Sequence, residues 1–176
     1  MWDMTGLGGA ALKAHNASEW LTRVIDRVCV ALMVVLVLDV WLGVIVRYVW
    51  PLPITFMEEA ARYLMIWVAL LAVSCGITRR EHIGVQMLFA ALPLAARRAL
   101  LLLIDLLGIA FFVLLIVYGV GLTERGARTF TMIYGMSKAL PFAAVPVAAA
   151  LAAVQLALVA VRDQARIGLH PEHVAP

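Results

Sequence analysis

Charged residues are scarce in this chain of 176 residues, and apolar residues are abundant. Only 14% of the residues are charged and 65% are hydrophobic, whereas an ordinary soluble domain has about 25% and about 45–50%. A globule of this size cannot hide so many apolar side chains, because it still leaves about 30% of the surface of its unfolded chain exposed. The composition therefore argues against a water-soluble enzyme, a disordered tail or a nucleic-acid-binding protein, and it indicates a chain embedded in lipid.

Cysteine and histidine are also rare. Cys29 and Cys75 lie within or beside apolar runs, which favours small buried side chains over a disulfide, a redox pair or a metal site. A membrane haem protein of b type needs histidines on its spanning helices. The histidines of this chain all fall outside the predicted spans: His15, His82, His170 and His173. No cofactor or metal is therefore predicted.

Several enzyme motifs are missing as well. The sequence has no Walker-type glycine-rich loop, no GxSxG and no HExxH, so nucleotide hydrolysis and acyl transfer have no support. We predict that the protein is not an enzyme. Met1–Ala11 carry no basic segment of the kind that begins a secretory signal peptide, and the first long apolar run starts only at Val28.

Four apolar runs are long enough to cross a bilayer, whose hydrocarbon core of about 30 Å requires about 20 helical residues. Pro51 and Pro53 separate the first run from the second, and Thr55 and Glu58 have the spacing of a capping box. The sequence predicts an all-α integral membrane protein with one membrane domain over residues 17–162. Its predicted spans are residues 28–49, 56–78, 99–122 and 139–161.

The segments outside these spans differ in character. Residues 1–16 are rich in glycine and alanine and are predicted to be a flexible N-terminus. Ala17–Val28 has apolar residues at helical spacing, which predicts an amphipathic segment on the membrane surface. Ile83–Leu92 is apolar but too short to cross, so we predict a second in-plane segment, ended by Pro93. Residues 163–176 form a polar tail.

The basic residues predict the orientation in the membrane. With the N-terminus inside, nine basic residues lie on the cytoplasmic side and five on the far side, and such an excess marks the cytoplasmic side. We therefore expect both termini in the cytoplasm. The nine are Lys13, Arg23, Arg27, Arg79, Arg80, Arg97, Arg98, Arg162 and Arg166.

Two adjacent carboxylates, Glu58 and Glu59, begin the second span. The helix dipole favours anions in a first turn. Arg62 follows at a spacing of four and three residues, which is the spacing of an intrahelical ion pair. A structural or interface role is favoured for this group, and cation binding is the alternative.

Asp39 and Asp105 are the acidic residues well inside the predicted spans. An intramembrane carboxylate is costly and marks a functional site or a buried partner. No basic residue lies at a matching depth, so neither acid has an obvious partner in this chain. A hydrogen bond to another helix or subunit is favoured for Asp39, with a protonated bystander and a transport role as alternatives.

Small residues recur every four positions in the last span, at Ala149, Ala153 and Ala157. This spacing lets a neighbouring helix approach closely. The neighbour is either a helix of this chain or a helix of another protein, and the sequence leaves both possibilities open.

A longer pattern runs from Arg47-Tyr48 to Leu92-Pro93. It contains Pro53-x-x-Phe56-x-Glu58-Glu59-x-x-Arg62-Tyr63-Leu64-x-Ile66-Trp67, Gly76, Arg79-Arg80 and Glu81-His82-Ile83-x-Val85, and a shorter match follows at Ser137-x-Ala139-Leu140-Pro141. The pattern resembles the small membrane subunit of tripartite ATP-independent periplasmic (TRAP) transporters, the DctQ-like family. Phe56 departs from the family, which usually has tryptophan before the glutamate pair.

The resemblance implies an accessory role in a bacterial inner membrane. In such transporters a large multi-span subunit holds the substrate and sodium sites, and a periplasmic binding protein delivers an organic acid. The small subunit braces the static scaffold. The resemblance implies subunit packing or helix positioning for Phe56, Glu58, Glu59, Arg62, Trp67 and His82.

Two other functional classes stay open on the sequence alone. A self-sufficient proton-coupled exporter would use Asp39 as its membrane carboxylate. A membrane anchor of a redox enzyme would require a bound cofactor.

Overall fold

The computed structural model describes residues 9–49, 56–79, 93–131, 135 and 137–169. This part of the chain forms no β-strand, and each of its helices is long and apolar enough to cross a membrane. The predicted all-α architecture with four potential spans is therefore confirmed, whereas the cytoplasmic location of both termini remains a prediction. The helices are α1 (Gly9–Tyr48), α2 (Phe56–Arg79), α3 (Leu94–Ala127) and α4 (Ala139–Leu169).

Three sequence predictions lie outside the described residues. They are the in-plane segment at 83–92, the role of His82 and the capping hydroxyl of Thr55. The first eight residues of the predicted flexible N-terminus also lie outside, as do residues 170–176 of the predicted polar tail.

α1 is longer than the first predicted span. It has 40 residues and extends about 60 Å, at about 1.5 Å per residue. Residues 9–16, predicted as a flexible segment, are helical, and residues 17–28 form one continuous helix with the predicted span, whereas their location on the membrane surface stays a prediction. Packing supports this continuous helix, because Ser18 and Ile25 are buried against the other helices and no proline interrupts this part of α1.

α4 lies at the centre of the assembly. It packs against α1, α2 and α3, and α1 also packs against α2, whereas α3 packs chiefly on α4. The helices therefore form a three-helix unit of α1, α2 and α4 with α3 on its outer side. The buried core of this unit consists of Ile25, Leu71, Cys75 and Ala148.

α3 and α4 approach each other closely at glycines of α3. A Cβ placed on Gly119 would lie 3.0 Å from Cδ and 3.1 Å from the nitrogen of Pro146, inside α4. A Cβ on Gly126 would lie 3.1 Å from the carbonyl oxygen of Lys138. Larger residues at these positions would push the two helix backbones apart, so glycine fixes the spacing of this antiparallel pair.

The alanines of α4 serve the chain's own packing for the most part. Ala148, Ala149 and Ala152 are buried, whereas Ala157 is exposed. Of the alanines spaced four residues apart, Ala149 is buried, Ala153 is half-buried and Ala157 is exposed, so the alternative is resolved in favour of this chain's own helices for Ala149.

Candidate functional site

Apart from His82, which lies outside the described residues, the sequence-predicted site residues lie on three different helices. Most of them are on α2, whereas Asp39 is on α1 and Asp105 is on α3. Asp39 lies one turn from Gly43, where a Cβ would lie 3.7 Å from the sulfur of Met57 at the start of α2. Asp105 lies one turn from Gly108, which faces Leu156 of α4. This contact is at the end of the helix bundle opposite to Asp39. The structure therefore does not bring the two intramembrane carboxylates together.

Glu59 is buried, with only 7% of its surface exposed. Its Oε1 accepts a hydrogen bond from the hydroxyl of Tyr63, one turn further along α2. Its Oε2 is buried and has no hydrogen-bond partner among the described residues. Burying a carboxylate oxygen without a partner is costly, so other contacts of the chain must offset this cost.

The predicted ion pair with Arg62 does not form. Both Glu58 and Arg62 are exposed, and the structure shows no salt bridge from Arg62 to either glutamate. An intrahelical pair gains only about 0.2–0.5 kcal/mol, which is too little to draw the guanidinium away from its exposed position. Tyr63, which is half-buried, takes the place that the sequence assigned to Arg62 as the partner of Glu59.

Trp67 is half-buried and packs against the core of the three-helix unit. It lies on the same side of α2 as Leu71, one turn away, so it contributes to the packing of this chain itself. Phe56 is the first residue of α2.

Asp39 is half-buried on α1. Its Oδ2 is buried, and no donor in the described part of the chain makes a hydrogen bond to it. Asp105 differs, because it is 3% exposed and interacts within the protein. The two aspartates that look alike in the sequence thus have different surroundings.

A buried polar cluster joins α1, α2 and α4 around Gln155, which is fully buried. The amide nitrogen of Gln155 lies 3.0 Å from both the hydroxyl and the carbonyl oxygen of Ser18, and 2.7 Å from the hydroxyl of Thr22. It also donates to the hydroxyl of Thr78. The Thr22 and Thr78 hydroxyls are 2.8 Å apart, so each helix contributes a side chain. We call these four residues the Gln155 cluster.

Hydrogen bonds between helices stabilise membrane bundles because lipid offers no replacement partner. The amide nitrogen has two hydrogens for four surrounding oxygens, so these hydrogen bonds are shared within the cluster. Separating any of the three helices would leave hydroxyl or amide groups unpaired in an apolar interior.

The sequence interpretation missed this cluster. Ser18 and Thr22 lie in the segment that was assigned to the membrane surface, and Thr78 ends the second predicted span. One signal was present, because Gln155 is the only polar side chain between Ala139 and Val161. A lone amide in an otherwise apolar span requires a partner on another helix.

The part of the chain that the structure describes contains no group of three or more histidine, cysteine, aspartate or glutamate residues that could hold a metal ion. The candidate site therefore consists of the Gln155 cluster, which joins three helices, the buried Glu59 with its partner Tyr63 on the same helix, and the exposed pair Glu58 and Arg62.

The sequence is similar to known transporter components. The family model described as "Tripartite ATP-independent periplasmic transporters, DctQ component" matches residues 33–166, which is more than half of the chain. A protein of Haemophilus influenzae with the provisional name TRAP transporter small permease protein is 27% identical over 79 residues, which cover 45% of this chain and 49% of that protein. The chain thus spans about half the length of the curated relative it matches. The resemblance inferred from the pattern between Arg47 and Pro93 is confirmed.

Proposed function

Because the chain belongs to the DctQ component family of tripartite ATP-independent periplasmic transporters, we propose that it braces the large membrane subunit of a sodium-coupled importer of an organic acid. In this proposal the chain is the small accessory subunit of the transporter, in the inner membrane of a bacterium. The large multi-span subunit holds the substrate and sodium sites, and a periplasmic binding protein delivers the substrate. The chain itself binds no cargo and no nucleic acid.

The Gln155 cluster supports the bracing role most directly. It connects three helices through side chains that have no alternative partner in lipid. A subunit that stays still while its neighbour moves must resist sliding of its own helices. Polar contacts inside an apolar bundle provide this resistance, because sliding would break several hydrogen bonds at once.

The separation of the two intramembrane carboxylates also supports an accessory role. Asp105 lies near the end of α1 that contains Ser18. Asp105 is one turn from Gly108, which faces Leu156, and the adjacent Gln155 contacts Ser18. Asp39 lies 21 residues further along α1 than Ser18, which is about 32 Å of helix. Two groups this far apart cannot bind one small solute together.

Reconstitution tests the proposal. The chain is co-expressed with a large membrane subunit and a periplasmic binding protein of a TRAP transporter from the same organism, and uptake of organic acids into proteoliposomes is measured under a sodium gradient. We expect uptake with all three components and no uptake when any one is left out. Uptake by vesicles that contain this chain alone would overturn the accessory role.

Asp39 supports a second candidate function. Its Oδ2, which has no hydrogen-bond partner among the described residues, is the kind of group that a proton-coupled exporter would protonate and deprotonate. In that case a proton gradient would drive the chain alone to move substrate up its concentration gradient, and Asp39→Asn would abolish the movement. Under the accessory proposal, vesicles that contain only this chain transport no substrate, with or without the Asp39→Asn substitution.

A further inference from the structure

The outward side of the first part of α1 carries positive charges only. Its exposed residues follow one another at intervals of three and four positions, so they lie along one line of the helix. Ser18 and Ile25, which pack on the other helices, lie on the opposite side. We call this line the basic face of α1, and it consists of Lys13, Asn16, Trp20, Arg23 and Arg27.

Beyond Arg27 the same line continues as an apolar surface. Asp39 is the one charged residue between Arg27 and Arg47, and it lies off this line. The two arginines are about 30 Å apart along α1, and the hydrocarbon core of a bilayer is also about 30 Å thick. This match indicates that lipid tails cover the apolar surface and that Arg27 lies at their edge. The exposed residues of the surface are Val30, Val34, Leu38, Trp41 and Ile45.

Two exposed aromatic residues agree with this placement. Trp20 is 62% exposed and lies beyond Arg27 at one end of the apolar surface, and Tyr48 is 78% exposed and follows Arg47 at the other end. Tryptophan and tyrosine are enriched at the two interfaces between membrane and water. Both ends of the apolar surface therefore have residues typical of a headgroup layer.

Arg23 and Arg27 lie one turn apart on the basic face, and both are exposed. Like charges at this spacing repel each other, so the pair is unfavourable for the helix alone. The Nε of Arg23 donates to the carbonyl oxygen of Glu19 at 3.3 Å, so this side chain leans towards the N-terminus of α1 and away from the lipid tails. Arg27 makes no hydrogen bond or ion pair within the described part of the chain.

The nearest carboxylates have contacts of their own. The Oε1 of Glu19 lies 3.1 Å from the Nε2 of His15. Asp26 is half-buried and interacts within the protein. A negative group from outside the chain is therefore the partner that Arg27 lacks.

We propose that Arg23 and Arg27 together bind the phosphate group of an anionic phospholipid such as phosphatidylglycerol. Arg27 lies at the edge of the lipid tails and Arg23 about 6 Å further out, which places both in a headgroup layer about 5–8 Å thick. Side chains of a helix lean towards its N-terminus, which here is the direction of the headgroups. A guanidinium group matches the geometry of a phosphate with two parallel hydrogen bonds.

The positive charge favours an anionic lipid over a zwitterionic one. Phosphatidylethanolamine carries an ammonium group that neutralises its own phosphate, whereas phosphatidylglycerol brings a net negative charge to Arg27. The acyl chains of the bound lipid lie along Val30 and Val34. This proposal concerns the contact of the chain with the membrane, so it does not depend on a role in transport.

Lys13 provides a matched control for a binding test. It is exposed on the same basic face but lies about 21 Å beyond Arg27, outside the headgroup layer. The full chain is purified in detergent, phosphatidylglycerol or phosphatidylethanolamine is added, and the bound lipid is counted by native mass spectrometry. We expect the wild-type chain to prefer phosphatidylglycerol. Arg27→Gln should weaken its binding about fivefold, which corresponds to about 1 kcal/mol, and Lys13→Gln should leave it unchanged.

The second arginine extends this test. Arg23→Gln should weaken the binding of phosphatidylglycerol by a similar factor, because both arginines hold the same phosphate. The melting temperature in lipid-free detergent checks that each variant is folded. A wild-type chain without a preference between the two lipids would overturn the proposal, and so would equal losses in Arg27→Gln and Lys13→Gln.

Photo-crosslinking in native membranes distinguishes a lipid from a protein partner. A photoreactive amino acid replaces Val30, which is 63% exposed and is the next residue of the line after Arg27. We expect a product whose mass is that of the chain plus one phospholipid. A product with another protein, whether a second copy of this chain or a different subunit, would contradict lipid as the occupant.

Discussion

The amide nitrogen of Gln155 on α4 lies 2.7 Å from the hydroxyl oxygen of Thr22 on α1, although 133 residues separate them in the chain. The same hydroxyl donates to the carbonyl oxygen of Ser18 at 2.9 Å and lies 2.8 Å from the hydroxyl of Thr78. A single side chain of α4 thereby sets the positions of α1 and α2 along the axis of α4.

Replacing Gln155 by leucine should destabilise the isolated chain by about 1–2 kcal/mol, because three hydroxyls lose a common partner in an apolar interior. The free energy of unfolding in detergent checks this. Val154→Leu is the control, because Val154 is the exposed neighbour of Gln155. A Gln155→Leu variant as stable as this control would contradict a stabilising role for the cluster.

Gly119 and Gly121 should respond in opposite directions to substitution by alanine. At Gly119 the new methyl group would lie 3.1 Å from the backbone nitrogen of Pro146, which cannot move without moving α4. We expect Gly119→Ala to lower the free energy of unfolding by about 1–3 kcal/mol. At Gly121 the methyl group meets nothing within 4 Å, so Gly121→Ala should raise it by up to about 1 kcal/mol through helix propensity.

Thermal unfolding in one detergent would compare the two glycine variants directly. Equal shifts in the same direction would contradict the close contact between α3 and α4.

Tyr63→Phe should destabilise the chain by about 1–3 kcal/mol, because it removes the hydroxyl that donates to the buried carboxylate of Glu59. Tyr118→Phe is the matched control, since Tyr118 is 74% exposed on α3. Unfolding of the two variants under the same conditions measures the difference. Equal stability would show that the hydrogen bond to Glu59 contributes nothing.

Asp39→Leu should raise the melting temperature of the isolated chain, because it removes a carboxylate with a buried oxygen that lacks a described partner. Val40→Leu, at the exposed next position, controls for added side-chain volume. A fall in melting temperature specific to Asp39→Leu would mean that Asp39 stabilises the isolated chain.

The four helices could be predicted from the sequence because each needs only a long apolar run, which composition shows directly. The start of α1 could not, since helical spacing alone does not distinguish a face that meets lipid from one that meets protein. Ser18 and Ile25 are buried by α2 and α4, and their burial depends on contacts with residues more than 40 positions away.

The candidate site was predictable only in part. The motif on α2 identified Glu58, Glu59 and Arg62, but spacing alone suggested the wrong partner for Glu59. Spacing shows which side chains are neighbours on one helix and does not show which of them is turned inwards. The burial of Glu59 and the exposure of Arg62 follow from the positions of the other helices.

The order in which the chain is synthesised has a consequence for how the Gln155 cluster forms. Ser18, Thr22 and Thr78 leave the ribosome before Gln155, which follows Thr78 by 77 residues. Until α4 is inserted, the hydroxyls of α1 and α2 therefore have only each other as hydrogen-bond partners in the bilayer. Insertion of the last helix completes the hydrogen bonds of the first two, so a chain that ends before Gln155 would keep the hydroxyls of its first two helices in lipid without the amide that joins them.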